Sequence, residues 1–180
     1  MKKLRQLLGV LLAILCVSSL APAGHAAATT AVDAKAAVLV DAQTGQIIYQ
    51  QNAKQKLPIA SISKLLTVLV IEDDIAHGDL NWDTRVAISK DVAAVANNPE
   101  YSNAGLQQGA TYTVGELVQA ALIKSADGAT LALAGAVGDS TAAFNQKMQK
   151  KARALGVKDA QIVNAVGLQN EDLPTNGRCN

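Results

Sequence analysis

The sequence predicts an α+β protein in which helices outnumber strands. Two neighbouring apolar segments separated by a glycine turn indicate one β-hairpin near the N-terminus, and most of the remaining chain has helical patterns. A strand pair followed by a run of helices is typical of the α+β class. Because an isolated hairpin is only marginally stable, we expect its sheet to need further strands or a packing partner.

The hairpin is predicted from residues 37–41 and 46–50. Both segments are rich in valine, leucine and isoleucine, and the second contains Tyr49. The linking residues 42–45 end in Gly45, which tolerates the backbone conformations of a tight turn. Antiparallel pairing of the two segments follows.

A long helix is predicted to begin at Ser61 and to end near Gly78. Pro58 keeps the residue before it extended, so the chain enters the helix sharply. The segment 65–71 is apolar on every side, which indicates a buried central helix. Acidic residues at 72–74, followed by the glycine, mark its end.

The second half of the chain reads as short helices with little strand. We predict a strand-like piece at 85–88, a loop at 97–103, helices at 90–96, 127–137 and 140–155, and an extended piece at 161–164. Thr113-Val114-Gly115-Glu116 forms a capping box in front of another apolar helix. Ser140 and Gly156 suit the start and the end of the last helix.

Residues 1–28 have the pattern of a secretory signal peptide. Lys2, Lys3 and Arg5 precede a short apolar run, and small residues then offer cleavage after Ala26 or Ala28. The prediction is an exported protein, located in the periplasm, in the cell wall or outside the cell. Residues 29–180 would then be enough for one domain with a core of its own.

Composition excludes several classes of function. The chain has 16 basic and 15 acidic residues, and removal of the three basic residues of the signal peptide leaves 13 against 15. That balance predicts no nucleic-acid partner and no binding to an anionic membrane surface. His77 is the one histidine and Cys179 the one cysteine after residue 28, so neither a disulfide, a histidine-based triad nor a metal site is predicted.

Ser61-Ile62-Ser63-Lys64 is the motif that carries chemistry. A spacing of three places the hydroxyl of Ser61 and the amine of Lys64 on the same face of a helix. A neutral lysine can take the proton of a serine hydroxyl, which makes a nucleophile without histidine. The alternative is structural, with Ser61 as a helix N-cap and Lys64 as a solvated residue of the first turn.

Taken together, these features resemble the low-molecular-mass D-alanyl-D-alanine carboxypeptidases, the serine-type penicillin-binding enzymes that trim peptidoglycan. The resemblance covers roughly residues 34–173. Its residues are Gly45-Gln46-Ile47-Ile48-Tyr49, Pro58-Ile59-Ala60-Ser61-Ile62-Ser63-Lys64-Leu65, Leu122-Ile123-Lys124-Ser125-Ala126-Asp127, Phe144 with Met148 and Lys151-Ala152 up to Leu155-Gly156, and Val163-Asn164-Ala165-Val166-Gly167-Leu168. The resemblance implies a β-lactamase/penicillin-binding transpeptidase-like fold, with the hairpin and the helical region present.

The resemblance also implies the roles of four residues. Ser61 would be the acylated nucleophile and Lys64 the base that accepts its proton. Ser125 would match the serine of the second motif, which relays a proton to the leaving D-alanine. Asp127 would lie at the substrate, the expected substrate being the D-Ala-D-Ala end of a peptidoglycan stem peptide. β-Lactams would acylate Ser61 as inhibitors, and no cofactor or metal is implied.

Two departures from the family pattern stand in the sequence. The family usually has asparagine two residues after the second serine, whereas Asp127 is acceptor-only when ionised. Asp127 could face the substrate, pair with Lys64 or cap the next helix. No Lys-Thr-Gly follows Ser125, although in the family that strand binds the substrate carboxylate and supplies an oxyanion N–H. We therefore expect a C-terminally truncated domain that lacks a membrane anchor and is weakly active or inactive.

Two other functions compete with the carboxypeptidase. A non-catalytic exported fragment of such an enzyme would account for the missing third motif. A class A β-lactamase would need a deacylating glutamate within Glu-x-x-Leu-Asn, which Glu171-Asp172-Leu173-Pro174 does not match. The β-lactamase is the weaker of these two alternatives.

Overall fold

The computed structural model describes residues 31–138 and 140–168. The predicted signal peptide at 1–28, Cys179 and the segment around Glu171 lie outside the described residues. The chain divides into two compact units, residues 1–56 and residues 57–180. Each unit is described by itself below.

The described part of the first unit is the predicted hairpin. Strand β1 (Ala37–Val40) pairs antiparallel with β2 (Ile47–Gln51), with Leu39 opposite Tyr49. In the turn, Asp41 Oδ1 accepts hydrogen bonds from the backbone N–H of Thr44 at 2.7 Å and from that of Gln43 at 2.9 Å. The bond from the Thr44 backbone is the main reason that the pKa of Asp41 is lowered.

Large aliphatic side chains of the hairpin remain exposed. Between 46% and 61% of the surface of each is accessible, the residues being Val38, Leu39, Val40, Ile47 and Ile48. Both faces of the two strands therefore carry apolar surface, in keeping with the expectation that this sheet needs further strands.

The described part of the second unit consists of five α-helices and a second small sheet. In chain order it contains a 3₁₀ turn (Ala60–Ile62), α1 (Ser63–His77), β3 (Arg85–Ala87), α2 (Lys90–Ala96), β4 (Thr111–Thr113), α3 (Val114–Ile123), α4 (Asp127–Val137) and α5 (Thr141–Ala154). β3 and β4 pair antiparallel, with Val86 opposite Tyr112. β3 agrees with the strand-like piece predicted at residues 85–88, whereas no strand was predicted at the position of β4.

The core of this unit lies between the helices. Ile71 of α1, Leu117 of α3, Leu133 of α4 and both Phe144 and Met148 of α5 are all at most 1% exposed. Their burial holds α1 in the centre of the unit. The expectation that α1 is buried on every side is wrong at its first turn, since Leu65 is 56% exposed.

Local signals placed the helix ends well. Ser89, Thr113 and Ser140 each cap a helix by accepting a backbone N–H, and at Thr113 both bonds of the capping box are present. Gly78, after α1, is left-handed at φ 86°. Residues 161–164 belong to neither sheet. Among the described helices, none combines the length and apolar character needed to cross a membrane.

Candidate active site

Ser61 lies in a strained turn in front of α1. The residue before it, Ala60, has a φ of 44°, a left-handed conformation that costs a residue with a side chain about 1–3 kcal/mol. Ser63 N–H donates to the carbonyl groups of Ala60 and Ser61 and so joins the 3₁₀ turn to α1. No side chain caps the start of either helix, so the structural alternative of Ser61 as an N-cap is wrong.

Lys64 lies beneath Ser61 and is buried. Its Nζ is 3.0 Å from Ser61 Oγ, 2.9 Å from Ser125 Oγ and 2.7 Å from the backbone carbonyl oxygen of Ser125. Only 2% of Lys64 is exposed, whereas Ser61 and Ser125 are each partly exposed. The alternative of Lys64 as a solvated first-turn residue is therefore wrong, and the amine bridges two accessible hydroxyl groups.

Ser125 reaches the site from the turn between α3 and α4. It too is left-handed, with a φ of 54°. Of the three non-glycine residues with positive φ in the described part of the chain, two are thus Ala60 and Ser125. Such conformations persist only where the surrounding structure holds them, and they concentrate at functional sites. This one directs both the hydroxyl and the carbonyl of Ser125 at Lys64.

Asp127 is the counter-charge of Lys64. Its Oδ1 lies 2.7 Å from Lys64 Nζ, and the two side chains are 4% and 2% exposed. The distance is that of an ion pair, but the angles are outside the hydrogen-bond range, and Asp127 Oδ1 is a buried oxygen without a hydrogen-bond donor. The N-cap of α4 is Ala126, with no side-chain capping bond. Of the three roles left open by the sequence, helix capping is therefore excluded.

Tight packing places the start of α4. The backbone N–H of Asp127 donates to Ser102 O at 2.8 Å, which ties it to the loop after α2. A Cβ on Gly128 would lie 2.5 Å from the Cβ of Ala96, so only glycine fits between α2 and α4 at this point. This close approach keeps Asp127 at the base of the site.

The arrangement can support proton transfer between two serines and a substrate. A neutral Lys64 can accept the hydroxyl proton of Ser61, and a charged Lys64 can return a proton by way of Ser125. Within residues 31–138 and 140–168, no three His, Cys, Asp or Glu side chains are grouped so as to hold a metal ion.

The structure brings together all four residues singled out in the sequence. The turn at residues 164–168 also belongs to the site, because Gly167 lies against Ala60 and Ser63, on either side of Ser61. The signal that could have found it is the Asn-x-x-Gly-Leu pattern of Asn164 to Leu168, because asparagine and glycine at that spacing favour a tight turn.

Comparison with known proteins gives a consistent result. The family described as D-alanyl-D-alanine carboxypeptidase matches residues 23–178. D-alanyl-D-alanine carboxypeptidase DacF of Bacillus subtilis is 31% identical over 166 residues, which are 92% of this chain and 42% of that protein. This chain thus spans about two fifths of the length of that relative.

Solved structures share the fold. The peptidoglycan synthesis regulatory factor PBP3 from Streptococcus pneumoniae is 38% identical with a TM-score of 0.75, over 81% of this chain and 40% of that one. Penicillin-binding protein D2 from Listeria monocytogenes, in its cefotaxime-bound form, is 28% identical with a TM-score of 0.66, over 81% and 57% of the two chains. The penicillin-binding fold predicted from the sequence is therefore confirmed.

Proposed function

Because the chain belongs to the D-alanyl-D-alanine carboxypeptidase family, we propose that it releases the terminal D-alanine of peptidoglycan stem peptides through an acyl-enzyme on Ser61. The observation that carries this proposal is the buried Lys64, whose Nζ lies 3.0 Å from Ser61 Oγ and 2.9 Å from Ser125 Oγ. One amine within hydrogen-bond distance of both hydroxyl groups can serve both halves of an acyl transfer.

In the acylation half, Ser61 Oγ attacks the carbonyl carbon of the penultimate D-alanine. The hydroxyl proton passes to the neutral amine of Lys64. As the peptide bond breaks, a proton moves from Lys64 through the hydroxyl of Ser125 to the nitrogen of the departing D-alanine. The backbone N–H of Ser61, in the 3₁₀ turn before α1, would donate to the developing oxyanion.

In the deacylation half, a water molecule attacks the ester of Ser61. Lys64 accepts a proton from the water and returns it to Ser61 Oγ when the ester bond breaks. Both halves need Lys64 in its neutral form at the start. The carboxylate of Asp127 lies 2.7 Å from the same Nζ, so it competes with Ser61 Oγ for the amine.

We propose further that β-lactams acylate the same serine. The likeness to a penicillin-binding protein solved in its cefotaxime-bound form supports this, as does the partly exposed Ser61 beside the buried amine of Lys64.

Residues 1–28 would direct export, and residues 29–180 would belong to the catalytic domain. Both remain proposals from the sequence.

Labelling with a fluorescent penicillin tests the proposed function. We expect slow covalent labelling of the intact chain, because no Lys-Thr-Gly follows Ser125, with the label mapped to Ser61 by mass spectrometry. Ser61→Ala should take up no label. Lys64→Ala should slow labelling steeply while non-covalent binding is partly retained, because it removes proton transfer rather than the pocket. The matched control is Ser140→Ala, which removes a capping hydroxyl of α5 outside the site.

The result also separates the competing functions. Label on Ser125 or Ser63 would show that the roles are wrongly assigned. A folded chain that takes up no label at all would favour the non-catalytic exported fragment over the enzyme.

A further inference from the structure

One asparagine side chain organises the turn at residues 164–168, called here the 164–168 turn. Asn164 Oδ1 accepts hydrogen bonds from the backbone N–H groups of Val166 at 3.2 Å, Gly167 at 2.7 Å and Leu168 at 3.2 Å. Asn164 Nδ2 donates to the carbonyl oxygen of Leu168. Both ends of the amide are therefore used inside a single turn, which makes the turn rigid.

The 164–168 turn is anchored to α1. Thr67 Oγ1, fully buried, donates to the carbonyl oxygen of Ala165 at 2.8 Å. Ala165 and Val166 are themselves at most 3% exposed. The 164–168 turn is thus fixed to α1 at Thr67, one helical turn after Lys64.

Gly167 lies directly against the backbone that precedes Ser61. It is left-handed, at φ 77°, and a Cβ built on it would lie 2.5 Å from Ser63 Oγ and closer still to the carbonyl oxygen of Ala60. No side chain fits in this space. The turn therefore presents bare backbone to Ala60, the residue before Ser61, and to Ser63.

Ala60 needs such a support. Its φ of 44° is unfavourable for a residue with a side chain, so its surroundings must hold it. If Ala60 relaxed to negative φ, the chain direction at Ser61 would change, and with it the 3.0 Å distance from Ser61 Oγ to Lys64 Nζ.

We propose that the 164–168 turn is a positioning element for the nucleophile, with Gly167 as its contact residue. It holds Ala60 in the left-handed conformation and so aims the Ser61 hydroxyl at the Lys64 amine. The inference rests on the proposed function for its effect on reaction rate. Among the described residues, no hydrogen bond joins the turn to Lys64 Nζ or to Ser61 Oγ, so its residues are positioning residues and not catalytic ones.

The test compares two glycine-to-alanine variants of the intact chain. Gly156→Ala is the matched control, because Gly156 is also left-handed, at φ 86°, with open space around its Cβ position. Gly167→Ala carries the same kind of backbone penalty and adds the collision with Ala60. We expect the rate of penicillin acylation per folded molecule to fall about 100-fold in Gly167→Ala, the effect of a misplacement of roughly 1 Å, and to stay within about twofold in Gly156→Ala.

Backbone NMR separates this inference from the proposed function. The amide signals of Ser61, Ile62 and Ser63 should move in Gly167→Ala and stay in place in Gly156→Ala. If the parent chain takes up no penicillin, the proposed function fails, and the NMR comparison alone decides the inference. Unmoved signals, or an unchanged acylation rate in Gly167→Ala, would overturn it.

A second pair of variants serves if Gly167→Ala does not fold. Thr67→Val keeps the side-chain volume but removes the hydroxyl that holds Ala165, and Thr67→Ser keeps the hydroxyl. We expect acylation to fall about fivefold in Thr67→Val, since the lost hydrogen bond amounts to about 1 kcal/mol, with displaced amide signals at Ser61. Acylation should remain close to the parent rate in Thr67→Ser. Equal rates and equal Ser61 signals in the two Thr67 variants would refute the positioning role.

Discussion

Lys64 has more polar partners than one amine can serve. Four oxygens lie within 3.0 Å of its Nζ: two hydroxyl oxygens, one carbonyl oxygen and one carboxylate oxygen. A charged ammonium has three N–H donors and a neutral amine two. The carbonyl of Ser125 and the carboxylate of Asp127 can only accept, so the proton state of Lys64 decides whether Ser61 meets a donor or a free lone pair.

Asp127 therefore acts on rate and stability in opposite directions. Replacement by asparagine, which has nearly the same shape, removes the carboxylate that competes with Ser61 Oγ for Lys64 Nζ. We expect Asp127→Asn to raise the rate of penicillin acylation at neutral pH by roughly tenfold, about 1.4 kcal/mol in the activation free energy. The same change should lower the free energy of unfolding, by up to about 3–5 kcal/mol where Lys64 stays charged without a partner.

Acylation kinetics and chemical denaturation of the same samples measure both effects. The control is Asp73→Asn, because Asp73 forms a salt bridge of the same 2.7 Å length with Lys151 but is 45% exposed. This control should leave acylation unchanged and alter the free energy of unfolding by no more than about 1 kcal/mol. Slower or unchanged acylation in Asp127→Asn would contradict the role given to the carboxylate.

At the scale of single elements, the start of α3 shows how local sequence sets a helix end. Glu116 Oε2 accepts from the backbone N–H of Thr113 at 2.7 Å and from its hydroxyl at 3.0 Å, while Glu116 N–H donates back to Thr113 Oγ1 at 3.1 Å. The backbone bond from Thr113 is the largest reason that the pKa of Glu116 is lowered. The capping box is thus also a pH-sensitive contact.

The sign of that pH dependence follows from the lowered pKa of Glu116. A carboxylate whose pKa is lower in the folded state stabilises the fold above its unfolded pKa, and the contribution is lost as the pH falls through the folded pKa. We expect Glu116→Gln to lower the midpoint of thermal unfolding at pH 7. It should match the parent chain only once the pH has fallen through the folded pKa of Glu116, which lies below the ordinary range of a glutamate.

Thermal unfolding between pH 3 and pH 7 checks this expectation. Glu100→Gln is the matched control, since Glu100 is an exposed glutamate in the loop after α2. It should follow the parent chain at every pH. A constant difference between Glu116→Gln and the parent, independent of pH, would show that the capping carboxylate does not titrate with folding.

At the scale of the whole molecule, the two units differ in how much apolar side-chain surface each one buries. Every large buried hydrophobic side chain of the described residues lies at or beyond Val68, in the second unit. The first unit contributes β1 and β2, whose aliphatic side chains are exposed. Stability therefore differs between the units, because buried apolar area is the main stabilising term in folding.

Hydrogen exchange should show this difference directly. We expect the amides of β1 and β2 to exchange within the shortest labelling times, since a two-stranded hairpin is marginal in water. The amides around Ile71 and Leu133, both fully buried, should exchange only on global unfolding. The measurement is mass spectrometry of peptides after timed labelling, and equal protection of hairpin and helices would contradict the expectation.

The sequence by itself predicted most of the secondary structure. The hairpin, the bounds of α2 and α4, the capping box at Thr113 and the glycine end of α1 all follow from signals within a few residues of each other. Local hydrogen bonds and backbone propensities determine such features, so no knowledge of the fold is needed. The same holds for the stacking of Ser61 and Lys64, which helical spacing sets.

The charge next to Lys64 and the contact that supports the turn at Ser61 both depend on the tertiary structure. Asp127 is 63 positions from Lys64, and Gly167 is 107 positions from Ala60. The sequence allowed Asp127 three roles, and the structure pairs it with Lys64 and leaves the N-cap of α4 to Ala126. Contacts between segments so far apart depend on how helices pack, which no local pattern specifies, and therefore the acid–base balance of the site is a property of the fold.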